Sequence, residues 1–75
     1  MIYDVTVWAV YDRPTEYPAH YAVRSHAFDG GRLSYAGECG LFPSLEDARE
    51  SLLNRGLVCV PRNPADDPVI VECWI

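Results

Sequence analysis

Long apolar runs and a basic leader are both missing from this 75-residue sequence. A membrane-spanning helix needs about 20 consecutive apolar residues, and a secretory signal needs a cationic start followed by an apolar stretch. We therefore expect neither a transmembrane segment nor a signal peptide. A cytoplasmic protein in a reducing compartment is the predicted setting.

Cysteine is scarce: the three thiols, Cys39, Cys59 and Cys73, are odd in number and far apart. This spacing argues against a disulfide-stapled domain and against CxxC-type zinc binding. The two histidines, His20 and His26, are six residues apart on a predicted strand. Because six residues of extended chain span about 20 Å, these two side chains cannot bind one ion. We predict no metal site and no cofactor.

Catalytic motifs are also missing, since the sequence contains no P-loop, GxGxxG, HExxH or GxSxG pattern. Adjacent acidic residues occur twice, at Glu46 and Asp47 and at Asp66 and Asp67. The first pair suits the positive end of a helix dipole and the second suits a turn, so neither requires an acid–base role. We predict that the chain is not an enzyme.

One alternative gives a chemical role to Cys39, which lies in a predicted loop shortly before the helix. Helix N-termini activate nearby thiols, and His26 would serve as the base that removes the proton. The chain would then be a small thiol-dependent enzyme or a redox protein. No sequence motif accompanies this pair of residues.

Positive charge is in short supply. Six arginines and no lysine oppose eleven acidic residues, which gives a net charge of −5 and a sequence pI of about 4.7. Such a domain repels phosphate groups, so direct binding to nucleic acid or to an anionic membrane is disfavoured. A basic protein surface would attract it. The same charge would also serve simply to keep the protein in solution.

The most informative segment that is present spans residues 44–56, the only one with a helical period. Its apolar residues share one stripe of a 3.6-residue helix: Leu45, Ala48, Leu52 and Leu53. Ser44 suits the N-cap position, Gly56 suits the position after the last turn, and Leu57 suits a Schellman ending. We predict one amphipathic helix that packs on a sheet.

Five other segments are rich in β-branched and aromatic residues, and we predict that each forms a strand. They are residues 1–12, 20–28, 32–36, 57–61 and 69–74. Asp29 and Gly30 predict a hairpin turn, while residues 13–19 and 37–43 predict loops. The expected fold is a single α+β domain over residues 1–75. It has one antiparallel sheet of four to five strands, in the order 3-2-1-5-4, with the helix on one face.

One helix covers only one face of such a sheet, and we refer to the other as the open face. On the expected register the open face carries both tryptophans: Trp8, Val10, Arg24, His26, Phe28, Ile70, Glu72 and Trp74. An exposed apolar patch marks an interaction surface, for another protein or for a second copy. Alternatively, the sheet curls or the loops fold over it, and the tryptophans are ordinary core residues. A slip of one residue in register would exchange the two faces.

These observations predict a small, acidic, non-enzymatic module that binds another protein. The expected partner-binding residues are Trp8, Arg24, His26, Trp74, Glu46, Glu50, Asp66 and Asp67. The expected partner is a basic protein that handles nucleic acid, which the module would inhibit. Small acidic inhibitors from phages and mobile elements, including anti-CRISPR proteins, offer an analogy that rests on size and charge alone. A homodimeric structural subunit is the remaining alternative.

Overall fold

The computed structural model of the protein describes residues 5–29, 32–60 and 68–75. Its elements are β1 (Val5–Tyr11), β2 (Tyr21–Asp29), β3 (Arg32–Phe42), α1 (Leu45–Asn54), β4 (Cys59–Val60) and β5 (Ile70–Trp74). The five strands form one sheet in the order β3-β2-β1-β5-β4, and every neighbouring pair is antiparallel. The predicted α+β fold and strand order are therefore confirmed.

The ends of α1 follow the local signals in the sequence. The Ser44 hydroxyl accepts a hydrogen bond from the backbone N–H of Asp47 at 3.2 Å, which satisfies one of the free donors of the first turn. At the other end Gly56 has a φ of +79°, and the N–H of Leu57 donates to the carbonyl of Leu52 at 3.3 Å. This is the bond that defines a Schellman ending, so both predicted caps are confirmed.

The core lies between α1 and one face of the sheet. Its buried cluster consists of Val10, Val23, Ala48, Leu52 and Trp74. Partly buried apolar side chains surround it: Trp8, Tyr21, Phe42, Leu45 and Leu57. Leu53, predicted to be part of the buried stripe, is instead 60% exposed. Successive helical residues are about 100° apart, so the residue after Leu52 points away from the sheet.

The register of β1 corrects the predicted faces. Val10 pairs with Val23, and Trp8 pairs with Trp74 on its other side. Our expected register placed even-numbered residues of β1 and β2 on the same face, whereas the structure pairs even with odd residues. A slip of this kind turns a whole strand over. The prediction that Trp8 and Trp74 lie on the open face is therefore wrong, as it is for Val10 and Glu72.

The prediction for β2 is correct, because Arg24 and His26 do belong to the open face. Arg24 pairs with Ala9 and His26 pairs with Val7, and these four residues alternate with the ones that face α1. The open face thus carries Val7 and Ala9 from the middle of β1 and Arg24 and His26 from β2. The open face lacks the two tryptophans that we expected to make it an interaction surface.

Strand β3 is longer than predicted. It runs through residues 37–42, most of the segment that we predicted as a loop. Its pairing with β2 shifts register twice, between Val23 and Arg24 and between Ser25 and His26. Gly37 adopts a φ of +155° at this irregular part of the strand, a conformation that glycine tolerates best. The glycines therefore mark bulges within a strand, and Cys39 belongs to β3 rather than to a loop.

The segment between β1 and β2 is a loop, as predicted, and it folds back against the sheet. The N–H of Asp12 donates to the carbonyl of Val69 at 2.8 Å, and the N–H of Tyr17 donates to the carbonyl of Pro14 at 2.8 Å. Pro14 is buried, although a proline in a loop would ordinarily be exposed. One end of the open face is therefore covered by this loop.

Candidate functional site

Four polar side chains meet on the open face, and we call them the Arg24 cluster: Tyr11, Glu16, Arg24 and His26. The guanidinium carbon of Arg24 lies 4.6 Å from the centre of the Tyr11 ring, within cation–π range. Glu16, from the β1–β2 loop, forms an ion pair with the Arg24 guanidinium. The Tyr11 hydroxyl lies 3.0 Å from Nε2 of His26, which completes a continuous polar network.

The sheet register explains why Tyr11 and Arg24 meet. Tyr11 pairs with Ala22 and Arg24 pairs with Ala9, so the two long side chains occupy diagonal positions on one face. Diagonal neighbours on a sheet are about 7–8 Å apart, which aromatic and long side chains can bridge. Because the two alanines have short side chains, Tyr11 and Arg24 have room to lie across the strands.

A cavity of about 330 Å³ lies beside the Arg24 cluster, between the loop and the sheet. Its lining residues are Tyr11, Pro14, Thr15, Glu16, Arg24 and Val69. This volume falls at the small end of the range of ligand pockets, about 300–1,000 Å³. The cavity therefore has room for a small molecule or for one side chain of a partner.

The imidazole of His26 gives this cluster a measurable pH dependence. Partial burial, together with the positive charge of Arg24, lowers the pKa of His26 below its ordinary value of 6.5. The unfolded chain then binds the proton more readily than the folded one. We expect the free energy of unfolding to decrease as the pH falls through 6.5, until the folded protein is protonated as well.

Urea unfolding at several pH values between 5 and 8 measures this effect. His26→Gln should remove that component of the pH dependence, because the titrating group is gone. His20→Gln removes the other histidine and should keep it. An unchanged pH profile in His26→Gln would show that the stability change in this range comes from other groups.

The outer face of α1 is the second candidate surface. Glu46, Asp47 and Glu50 are all exposed there, and the first two lie in the first turn of the helix. The arginines near the helix are engaged with the sheet side instead. Arg49 forms an ion pair with Glu72, and the guanidinium carbon of Arg55 lies 4.6 Å from the centre of the Trp8 ring. The outer face of α1 therefore presents a row of carboxylates.

Of the side chains that the structure describes, Glu72 is the one charged side chain that is buried. Arg49 donates to it from both Nε and Nη2, at 2.7–3.2 Å, and the indole Nε1 of Trp74 donates at 2.7 Å. Burial alone would raise the pKa of Glu72, but the hydrogen bonds from Arg49 and Trp74 outweigh it and hold the pKa below 4.5. Glu72 is thus an ionised, fully hydrogen-bonded anchor between α1 and β5.

The structure gives little support for thiol chemistry near Glu72. Burial, followed by the negative charge of Glu72, raises the pKa of Cys59, so its reactive thiolate form is disfavoured. Cys59 pairs with Trp74 while Cys73 pairs with Val60, so the two thiols are not directly opposite. The Cys39 alternative loses its predicted loop, since Cys39 lies in β3.

The predicted partner-binding residues therefore divide among several places. Arg24 and His26 lie together on the open face, and Glu46 and Glu50 lie together on the outer face of α1. Trp74 is buried in the core and Trp8 packs against that core. Asp66 and Asp67 lie outside the described residues.

Among the side chains that the structure describes, the exposed apolar ones do not form the expected interaction patch. The large ones are Leu41, Leu53, Val58 and Ile75. Leu41 lies on β3 at one edge of the sheet, Leu53 lies on the helix, and Val58 and Ile75 are hydrogen-bonded to each other beside β4 at the opposite edge. Self-association through the open face stays a prediction, without the tryptophans that motivated it.

Sequence reasoning missed Tyr11, Glu16 and Glu72 as members of these sites. The sequence does contain a signal for Glu72: an acidic residue in an otherwise apolar strand needs a cation or hydrogen-bond donors from an element that packs on that strand. The sequence contains no such signal for Tyr11 and Glu16, because their roles depend on the path of the β1–β2 loop and on the register between two strands.

Two further observations concern residues 5–29, 32–60 and 68–75. These residues contain no group of three or more His, Cys, Asp or Glu side chains that could hold a metal ion. The helix found among them is also too short to cross a membrane. No protein-family model matches the chain, and neither a curated protein nor a solved structure shows significant similarity to it.

Proposed function

We propose that this chain is a small acidic interaction module of the cytoplasm that binds a basic protein through the outer face of α1. The observation that supports this proposal is the distribution of charge on the helix. Glu46, Asp47 and Glu50 are exposed, whereas Arg49 is bound to Glu72. A surface of this kind suits a protein that handles nucleic acid, because the carboxylates would occupy the basic groove meant for phosphates. The module would then act as an inhibitor, in the manner of a phage or mobile-element anti-CRISPR protein.

Electrostatics would act mainly on the association step. Charge complementarity raises association rates and makes them sensitive to salt, more than it slows dissociation. Glu46 and Glu50 are one helical turn apart, so their Cβ atoms lie about 5–6 Å from each other and both carboxylates can face neighbouring cations of a partner. The exposed side chain of Leu53, at the end of the same helix, would contribute apolar contact in place of the tryptophans.

A charge-reversal experiment tests this proposal. The protein and the variant Glu46→Lys/Glu50→Lys would be used as baits in an extract of the native host, and captured proteins would be identified by mass spectrometry. We expect the unaltered chain to retain a basic nucleic-acid-handling protein. Its association rate at low salt should fall by about tenfold in the variant.

The matched control is Asp12→Lys/Glu16→Lys, which changes the net charge equally but on the β1–β2 loop. We expect this control to keep most of the association rate. Equal rates for the chain and the α1 variant, or a captured partner that is acidic, would contradict the electrostatic mechanism. Reversal of Asp66 and Asp67 would test the second acidic segment of the sequence in the same assay.

A further inference from the structure

The geometry points to the cavity beside Arg24 as a binding site for a small carboxylate, in which the ligand replaces Glu16 on the guanidinium. This inference does not depend on the proposed function, because the cavity lies on the open face and the acidic surface lies on α1. It rests on three features of the site: a positioned cation, an exchangeable internal carboxylate, and a cavity of suitable size.

Arg24 is a positioned cation. Its side chain is only 15% exposed, and the guanidinium lies against the Tyr11 ring at 4.6 Å. The Tyr11 hydroxyl is in turn held 3.0 Å from Nε2 of His26. A guanidinium fixed in this way loses little conformational freedom when a ligand binds, and its planar fork matches the geometry of a carboxylate.

Glu16 shows that this guanidinium binds a carboxylate, and the exposure of the Glu16 side chain makes it the exchangeable half of the pair. The Glu16 side chain is 59% exposed and comes from a loop rather than from the sheet. Because the Glu16 side of the pair is exposed, water reaches it and can take over the contact that Glu16 gives up, so its exchange costs less than breaking a fully buried pair would. Glu16 can therefore turn into solvent while a ligand takes its place.

The cavity walls define the rest of the ligand. Pro14 and Val69 supply apolar surface, and Thr15 supplies a hydroxyl. A volume of about 330 Å³ admits a compact molecule with one ring or a short branched chain. The chemical class is therefore a small monocarboxylate with an apolar body. Since the whole chain carries a net charge of −5, which repels anions at long range, we expect affinity in the millimolar range.

Sodium benzoate is a suitable first probe. The full chain would be titrated at constant ionic strength while backbone amide shifts are followed by NMR. We expect saturable shifts at Tyr11, Thr15 and Arg24. Benzyl alcohol has the same ring without the charge, and inorganic phosphate has charge without the ring, so both should bind at least tenfold more weakly if the guanidinium and the apolar walls act together.

Three variants distinguish binding of benzoate in the cavity from nonspecific binding to the protein surface. Glu16→Gln removes the internal competitor and should tighten benzoate binding by roughly two- to fivefold. Arg24→Gln should abolish it. Arg13→Gln removes a charge of the same sign from the neighbouring β1–β2 loop, but Arg13 is paired with Asp12 and is more exposed than Arg24, so benzoate binding should be unchanged.

The amide shifts of Asp12 and Tyr17, whose N–H groups are hydrogen-bonded, report whether the loop stays folded in each variant. If the loop opens in Glu16→Gln or Arg24→Gln, Arg24→Lys carries the test, because lysine keeps the charge and loses the fork; benzoate affinity should fall severalfold. Any of three results would overturn the inference: no saturable shift with benzoate, equal weakening by Arg13→Gln and Arg24→Gln, or binding of phosphate in preference to benzoate.

Discussion

Replacing Leu52 by alanine is expected to lower the free energy of unfolding by about 3 kcal/mol, the largest effect of any single substitution that we predict. Leu52 is 1% exposed and belongs to the cluster that joins α1 to the sheet. Truncation leaves a cavity between Val10, Val23 and Trp74, and the sheet side of that cavity cannot collapse onto the helix without moving strands. A chain of this length has a total stability of about 4–11 kcal/mol, so the variant would keep about 1–8 kcal/mol and would be only marginally folded at the low end of that range.

Leu53→Ala is the matched control, since it removes the same atoms from the next residue of the same helix. Leu53 is exposed, and substitutions at such positions change stability by less than about 0.5 kcal/mol. Urea unfolding followed by tryptophan fluorescence would measure both variants, because Trp74 lies in the core. Similar destabilisation by the two substitutions would mean that α1 is rotated from the orientation described here.

The helix and its ends were predictable because their signals are local. Ser44 and Gly56 act on groups within a few residues of themselves, so the cap chemistry can be recognised without knowing the rest of the fold. The strand order was predictable for a related reason. With one helix and short connections, few antiparallel arrangements keep neighbouring segments paired.

The faces of the sheet were not predictable, because β1 is apolar on both sides. Val7 and Ala9 on one side compete with Trp8 and Val10 on the other, and nothing local decides between them. The decision is made by pairing with β2 and β5, where Trp8 lies opposite Trp74 and Val10 lies opposite Val23. Covering the larger side chains with α1 buries more apolar area than the alternative register would, which favours the observed one.

The candidate site, too, was predictable only in part. Arg24 and His26 were correctly placed on the open face, because β2 alternates polar and apolar residues. Loops that fold over the open face were one expected alternative, but the path of this loop was not predictable, since it depends on a positive φ of 44° at Arg13 and on the burial of Pro14. Neither residue type signals such a conformation in a sequence. The cavity and its internal carboxylate, Glu16, follow from that loop.

Replacing Arg49 by methionine is the second large change, and it tests the anchor between α1 and β5. The variant keeps the aliphatic stem but removes the three contacts that Arg49 makes to the buried carboxylate of Glu72, and it keeps the one from the indole N–H of Trp74. Removing one partner of a fully buried ion pair costs about 3–5 kcal/mol. Because the Arg49 side chain is 46% exposed, water screens its charge, and we expect a loss of about 2 kcal/mol at pH 7.

The sign of the pH dependence identifies the cause of that loss. In the unaltered chain the pKa of Glu72 is below 4.5, so the anchor stabilises the fold above that pH and its contribution disappears as the pH falls through the folded value. A protonated Glu72 needs no cation, so the difference between Arg49→Met and the unaltered chain should be smaller at pH 3 than at pH 7. Arg55→Met, which removes the same charge and a cation–π contact with Trp8, should cost about 0.5–1 kcal/mol at both pH values. A deficit in Arg49→Met that stays constant from pH 7 to pH 3 would assign the role of Arg49 to packing of its stem rather than to the charge of Glu72.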